Sequence, residues 1–95
     1  MQVVWSKLAL EDFEQNLNYL QDNWELKVIQ NFTAKVERTL KVIQSNPKSF
    51  QKHKRLKCYI VPIIPQIILY YEITGNKIVL LRFWNSYKNP KKIKT

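Results

Sequence analysis

The hydrophobic period of this chain changes once, at Asn46-Pro47, and the change separates a helical half from a strand half. Before it, Ala9, Phe13, Leu17, Leu20 and Trp24 recur at spacings of three and four. So do Ile29, Phe32, Val36, Leu40 and Ile43, with Leu26, Val28 and Val42 broadening the second stripe. Such spacing gathers each set on one side of a helix and predicts helices over about 7–23 and 25–45. Ser6 is placed to cap the first helix, and Glu11 and Asp12 lie near its first turn, where carboxylates suit the helix dipole. Glu14, Asn16, Asn18, Gln21 and Asp22 are expected to face water. Asn46 ends the second helix, because a residue before proline is pushed out of the helical region. The short connection between the helices predicts an antiparallel hairpin.

After Pro47 the pattern is that of strands. Leu56 to Ile63, Gln66 to Ile73 and Ile78 to Trp84 are rich in Ile, Val, Leu and Tyr, and Val3-Val4-Trp5 adds a short strand at the start. Pro62 and Pro65 are expected to bracket one turn, since proline is costly inside a central strand. Thr74-Gly75-Asn76-Lys77 supplies the other, around the only glycine of the chain. The fold class is therefore α+β, in the order β-α-α-β-β-β, with the helical hairpin on one face of an antiparallel sheet. A three-residue loop pairs Arg82 with Tyr70, and a two- or four-residue loop pairs it with Leu69. The first is preferred, because it keeps a charge off the helical core.

A chain of 95 residues has room for one domain, here 1–95, closed by a basic polar tail at about 85–95. The net charge is +9, but residues 1–46 carry net −1 and residues 47–95 net +10. So lopsided a field favours a polyanion or an acidic protein partner. No apolar run reaches the length of a membrane span or marks a secretory signal, and a cytoplasmic protein is expected. The lone cysteine, Cys58, excludes an internal disulfide and a cysteine-based zinc site, and no cluster has metal-ligand spacing. No cofactor is expected.

The ordered set of features resembles the RelE/ParE toxins of type II toxin–antitoxin systems. It comprises Trp5-Ser6 opening a helix with Ala9 and a Phe-x-x-x-Leu-x-x-Leu stripe, then Asn46-Pro47 with Phe50 shortly after. Ile68-Leu69-Tyr70-Tyr71-Glu72-Ile73, the glycine turn, Ile78-Val79-Leu80-Leu81-Arg82-Phe83-Trp84-Asn85 and Asn89-Pro90-Lys91-Lys92 complete it. The resemblance covers nearly the whole chain. It implies a helical hairpin on an antiparallel sheet and a cognate antitoxin whose acidic C-terminal segment wraps the toxin into a hetero-oligomer. Of two targets it implies, ribosome-dependent cutting of messenger RNA is the expected one and inhibition of DNA gyrase the alternative. RelE-like members cut messenger RNA on the ribosome, and ParE-like members poison DNA gyrase without chemistry of their own.

RelE-like members resemble one another in a basic loop, an arginine in the third strand and an arginine just past the last strand. The loop is present here as Lys52, Lys54, Arg55 and Lys57. The strand arginine falls near Ile67 or Ile68 and the late one near Tyr87, and neither position holds arginine. Arg82 and Lys88 lie nearby but do not match in position. Cutting RNA through its 2′-hydroxyl needs a base, an acid and a cation for the developing phosphorane charge. The residues proposed for these roles are Arg82 as the cation with Tyr87 and Lys54, and for RNA binding Lys52, Arg55, Lys57, Lys88, Lys91 and Lys92. His53, inside the basic run, is a further base candidate. Each has a structural alternative: a cross-strand Arg82–Glu72 ion pair, an exposed loop histidine, a solvated tail. Tyr71 and Cys58 are expected to be buried packing.

Overall fold

The computed structural model describes residues 1–88. The chain runs β1 (Gln2–Trp5), α1 (Lys7–Asn23), α2 (Leu26–Ser45), β2 (Gln51–Lys52), β3 (Tyr59–Ile64), β4 (Ile67–Thr74) and β5 (Lys77–Asn85). One five-stranded sheet has the order β1-β5-β4-β3-β2. Strands β2 to β5 pair antiparallel. β1 joins β5 in parallel, from Gln2 opposite Lys77 to Trp5 opposite Leu80, so the sheet is mixed rather than antiparallel throughout. β1 and β5 are the first and last strands among the described residues, and a crossover of helices and strands separates them, as parallel pairing requires.

The two helices cover one face. Ser6 caps α1 as expected: its Oγ accepts from the Ala9 N–H at 3.0 Å. Ala9, Leu20, Phe32, Val36 and Ile43 are buried against Val61, Ile63, Leu69, Tyr71, Ile78, Leu80 and Phe83 from the sheet. Leu26, Val42 and Trp24 are exposed instead of joining the stripes. Trp24 is the residue that ends α1, with an extended backbone that carries it out of the helical row. Leu26 is the first residue of α2, one residue past its N-cap Glu25.

Asn16 reverses its expectation: it is buried, and its Nδ2 donates to the Phe83 carbonyl at 2.9 Å. The cause is the shortness of β1, which pairs with β5 only as far as Leu80. Beyond that point the β5 edge is open, and unpaired buried backbone groups are costly. α1 lies along this edge and supplies the partners. The Ser6 hydroxyl donates to the Leu81 carbonyl (3.2 Å), Asn16 to the Phe83 carbonyl, and the Phe83 N–H donates to Asp12 Oδ2 (3.1 Å). A polar residue on a helix face is here a substitute strand.

Two other departures concern register. Pro62 lies inside β3, not in the turn, opposite Ile68 and beside a register irregularity. β2 pairs only with Tyr59 and Ile60, so at Pro62 β3 is the sheet edge, where a missing N–H is tolerated. The Arg82–Tyr70 pairing occurs as preferred, but by another route. Thr74 pairs with Lys77 around a two-residue turn, and a bulge between Tyr70 and Tyr71 then shifts the ladder by one. Gly75 has φ +62° and open space where a Cβ would stand. Gly75→Ala is therefore expected to lose about 1 kcal/mol through backbone strain alone. A urea titration of the two proteins measures it, and an unchanged midpoint contradicts it.

Tyr71 is fully buried, as expected, and ties the segment after α2 to the sheet: its hydroxyl donates to the Pro47 carbonyl at 2.8 Å. Its ring stacks on Tyr59, 5.3 Å between centroids. Burial, and then the neighbouring Tyr59, push its pKa up to about 12. A phenol whose folded pKa lies above its unfolded value near 10 stabilises the fold fully below that value and loses this contribution as pH rises through the folded one. Burial raises Cys58 and Tyr70 as well, with the same sign. Unfolding free energy should thus fall between about pH 10 and pH 12, less steeply in Tyr71→Phe. An equal slope in both proteins would remove Tyr71 from the account.

Candidate functional site

The sheet face away from the helices carries Ile68, Tyr70 and Glu72 on β4 and Arg82 and Trp84 on β5, by the two-residue alternation of strands. Arg82 begins on this face, its guanidinium carbon 5.3 Å from the centre of the Trp84 ring. It then reaches round the open edge to α1. Arg82 Nε donates to Asp12 Oδ2 at 2.6 Å and Nη2 to Oδ1 at 3.0 Å, a bidentate pair. Hydrogen bonding to Asp12 raises the Arg82 pKa, against an opposing effect of burial. The expected partner Glu72 instead stands opposite Val79. Asp12 lies beyond the first turn of α1, so its carboxylate serves Arg82 and the Phe83 N–H rather than the helix end.

The basic loop lies at the other side of the sheet, between β2 and β3. Lys52, Lys54, Arg55 and Lys57 are all exposed, and Lys52 Nζ stands 5.9 Å from the Tyr59 ring centre. His53 organises this loop. Its Nδ1 accepts from the Arg55 and Leu56 N–H groups, both at 3.0 Å. That commits the lone pair a general base would use and leaves Nε2 as the protonated nitrogen. The His53 ring is 6.1 Å from Tyr70, which pairs across strands with Arg82.

Tyr87 lies elsewhere: it is exposed, and its ring is 6.4 Å from Trp24 at the end of α1. Arg82, Tyr87 and Lys54 therefore occupy a strand edge, a helix end and a loop. Lys88 is exposed and borders a cleft of about 290 Å³ between α1 and β5, together with Asp12, Gln15, Asn16, Arg82 and Asn85. Lys91 and Lys92 lie outside the described residues. Sequence reasoning passed over Asp12 and Asn16 as site residues. The signal available was that they sit at i and i+4 on the helix following a strand too short to cover β5.

A helical hairpin packed on one face of a small sheet is the fold that the resemblance to RelE/ParE toxins implies. The family model described as the ParE toxin of type II toxin–antitoxin system, parDE, matches residues 3–90, and the chain belongs to that family. Among solved structures, the chromosomal ParDE system from P. aeruginosa is similar with a TM-score of 0.73 at 12% identity, covering 90% of this chain and 95% of that one. The YoeB dimer from Staphylococcus aureus is similar with a TM-score of 0.63 at 22% identity, covering 88% and 94%. The YoeB–YefM complex from Staphylococcus aureus gives 0.60 at 21%, also covering 88% and 94%. At these identities the likeness is one of fold. No curated protein matches the sequence. No helix among the described residues is long and apolar enough to cross a membrane.

Proposed function

We propose that this chain is a cytoplasmic toxin, held in check by a cognate antitoxin, that arrests growth by binding DNA gyrase and performs no chemistry of its own. The observation that carries the choice is the state of Arg82. A cation meant for the charge of a phosphorane must be available to it, and this one is held by Asp12, whose carboxylate accepts from Nε and Nη2 and offsets its charge. His53 spends its base lone pair on the loop backbone. The match to the parDE toxin description supports the same choice. The antitoxin is drawn from the YoeB–YefM complexes of similar fold and from the positive field of residues 47–95, which suits an acidic C-terminal segment in a hetero-oligomer.

A second reading is ribosome-dependent cleavage of messenger RNA, with Arg82, Tyr87 and Lys54 at the reacting phosphate and Lys52, Arg55, Lys57, Lys88, Lys91 and Lys92 on the RNA backbone. It is favoured by four exposed cations on one loop, an arrangement suited to phosphates. Induced expression in a bacterium distinguishes the two. Gyrase poisoning gives loss of plasmid supercoiling and a DNA-damage response, with transcripts intact in the first minutes. Transcripts cut within translated reading frames, with supercoiling preserved, would select the second reading.

A further inference from the structure

The cleft between α1 and the end of β5 is lined by a residue whose buried donor has nothing to donate to among the described residues. Asn85 lines it and is only 3% exposed. Its Oδ1 accepts from the Tyr87 and Lys88 N–H groups at 3.0 and 2.9 Å, which fixes Nδ2 as the other amide atom. Nδ2 is buried and has no hydrogen-bond partner among the described residues. A donor left this way is costly, and natural structures rarely keep one without a use. Gln15, Lys88 and Arg82 line the same cleft, and Arg82 gives Nε and Nη2 to Asp12 and leaves Nη1 for another acceptor. With Asp12, Arg82 and Lys88 as the charged groups of its lining, the cleft has a formal charge of +1.

We propose that this cleft takes the carboxylate of one Glu or Asp side chain from a bound partner segment. A single negative charge balances the lining. A phosphate near two charges overshoots it and faces the Asp12 carboxylate, while a neutral amide satisfies Asn85 but leaves the positive charge uncompensated. The surroundings point to a peptide rather than a free ion. Asn85 holds the backbone of Tyr87, whose exposed ring lies by the exposed Trp24, with Leu26 exposed just beyond α1. The partner is thus an acidic segment with apolar residues beside its carboxylate. The proposal rests on the antitoxin-controlled reading and not on the choice between gyrase and ribosome.

The test is a titration of the ¹⁵N-labelled full chain, followed at the Asn85 side-chain amide. The probes are acetyl-Leu-Glu-Glu-Leu-amide, its glutamine counterpart and inorganic phosphate. The glutamate peptide should move the Asn85 resonance saturably, and the other two should leave it in place. Gln15→Glu, an exposed change on α1 that removes the net positive charge of the cleft, should weaken the glutamate peptide at least tenfold at low salt. An Asn85 amide indifferent to the glutamate peptide overturns the proposal. So does an equal response to phosphate, which makes the cleft a simple anion site. A resonance that moves on deleting residues 89–95 and not on adding peptide also overturns it, because the tail then fills the cleft. A supercoiling assay on the same protein keeps failure of the target reading separate from failure of this one.

Discussion

Phe83→Ala is expected to lower the unfolding free energy by about 4 kcal/mol, as large as for any single truncation in this chain. Phe83 is 1% exposed. Its ring stacks on Trp5 at 5.3 Å and meets the Phe13 ring at 5.7 Å, and Phe13 in turn stacks on Phe32 at 5.6 Å. One side chain therefore joins β5 to β1, to α1 and, through Phe13, to α2. Its removal takes away the burial of an aromatic ring, opens a cavity among groups fixed from three sides and breaks two aromatic contacts. For a domain of this size the melting temperature should fall by roughly 20 °C. The half-buried Phe50, whose ring meets Tyr71 at 6.5 Å, is the comparison, and Phe50→Ala should cost clearly less. Equal losses at the two positions would mean that the aromatic cluster is not the centre of the fold.

Asp12→Ala should cost about 2–3 kcal/mol. Asp12 accepts three hydrogen bonds, two from Arg82 and one from the Phe83 N–H. The alanine leaves a guanidinium and a backbone N–H without their acceptor at a partly buried edge, and uncompensated groups dominate such losses. The side chains of Arg82 and Asp12 are 25% and 12% exposed, so solvent relieves part of the cost and the figure stays below that of a fully buried pair. Asp12→Asn keeps one acceptor for Phe83 and should lose less. A double-mutant cycle with Arg82→Ala, read by urea denaturation, should give a coupling above about 1 kcal/mol. A coupling near zero would reduce the pair to an incidental surface contact. The same variant bears on function: it frees Arg82 and, if the chain has no nuclease chemistry, still leaves translated messages uncut.

Much of the fold is legible because period and punctuation agree. Two helical stripes, Pro47, and β-branched runs around Gly75 define the helices and three of the strands. β2 is not legible: Gln51 and Lys52 carry no apolar alternation, and they pair with β3 only because the chain returns past its edge. The parallel placement of β1 is equally silent, since a four-residue strand does not encode its neighbour. The bulge between Tyr70 and Tyr71 shows why counting loop residues fails to set register, since the shift needed to pair Arg82 with Tyr70 arises in the ladder rather than in the turn.

The site was harder to read for a related reason. The cations of the basic loop are visible as a run and are exposed as a run. Whether a cation is available depends on what faces it, and that is decided by contacts across the chain. Arg82 and Asp12 are seventy residues apart, brought together because α1 replaces the missing strand at the β5 edge. Asn16 looks solvent-facing by helical position and is buried for the same cause. One local fact, that β1 stops at Trp5 opposite Leu80, thus governs Asp12, Asn16, Arg82 and the cleft beside Asn85.

A DNA supercoiling assay with purified gyrase, relaxed plasmid and increasing amounts of this protein tests gyrase inhibition most directly. Stoichiometric protein should inhibit supercoiling, Lys54→Ala and Tyr87→Phe should inhibit as wild type does, and a cognate antitoxin should restore the activity. Full supercoiling at a large excess of protein, alongside cleavage of messenger RNA in a translating extract, would contradict gyrase inhibition.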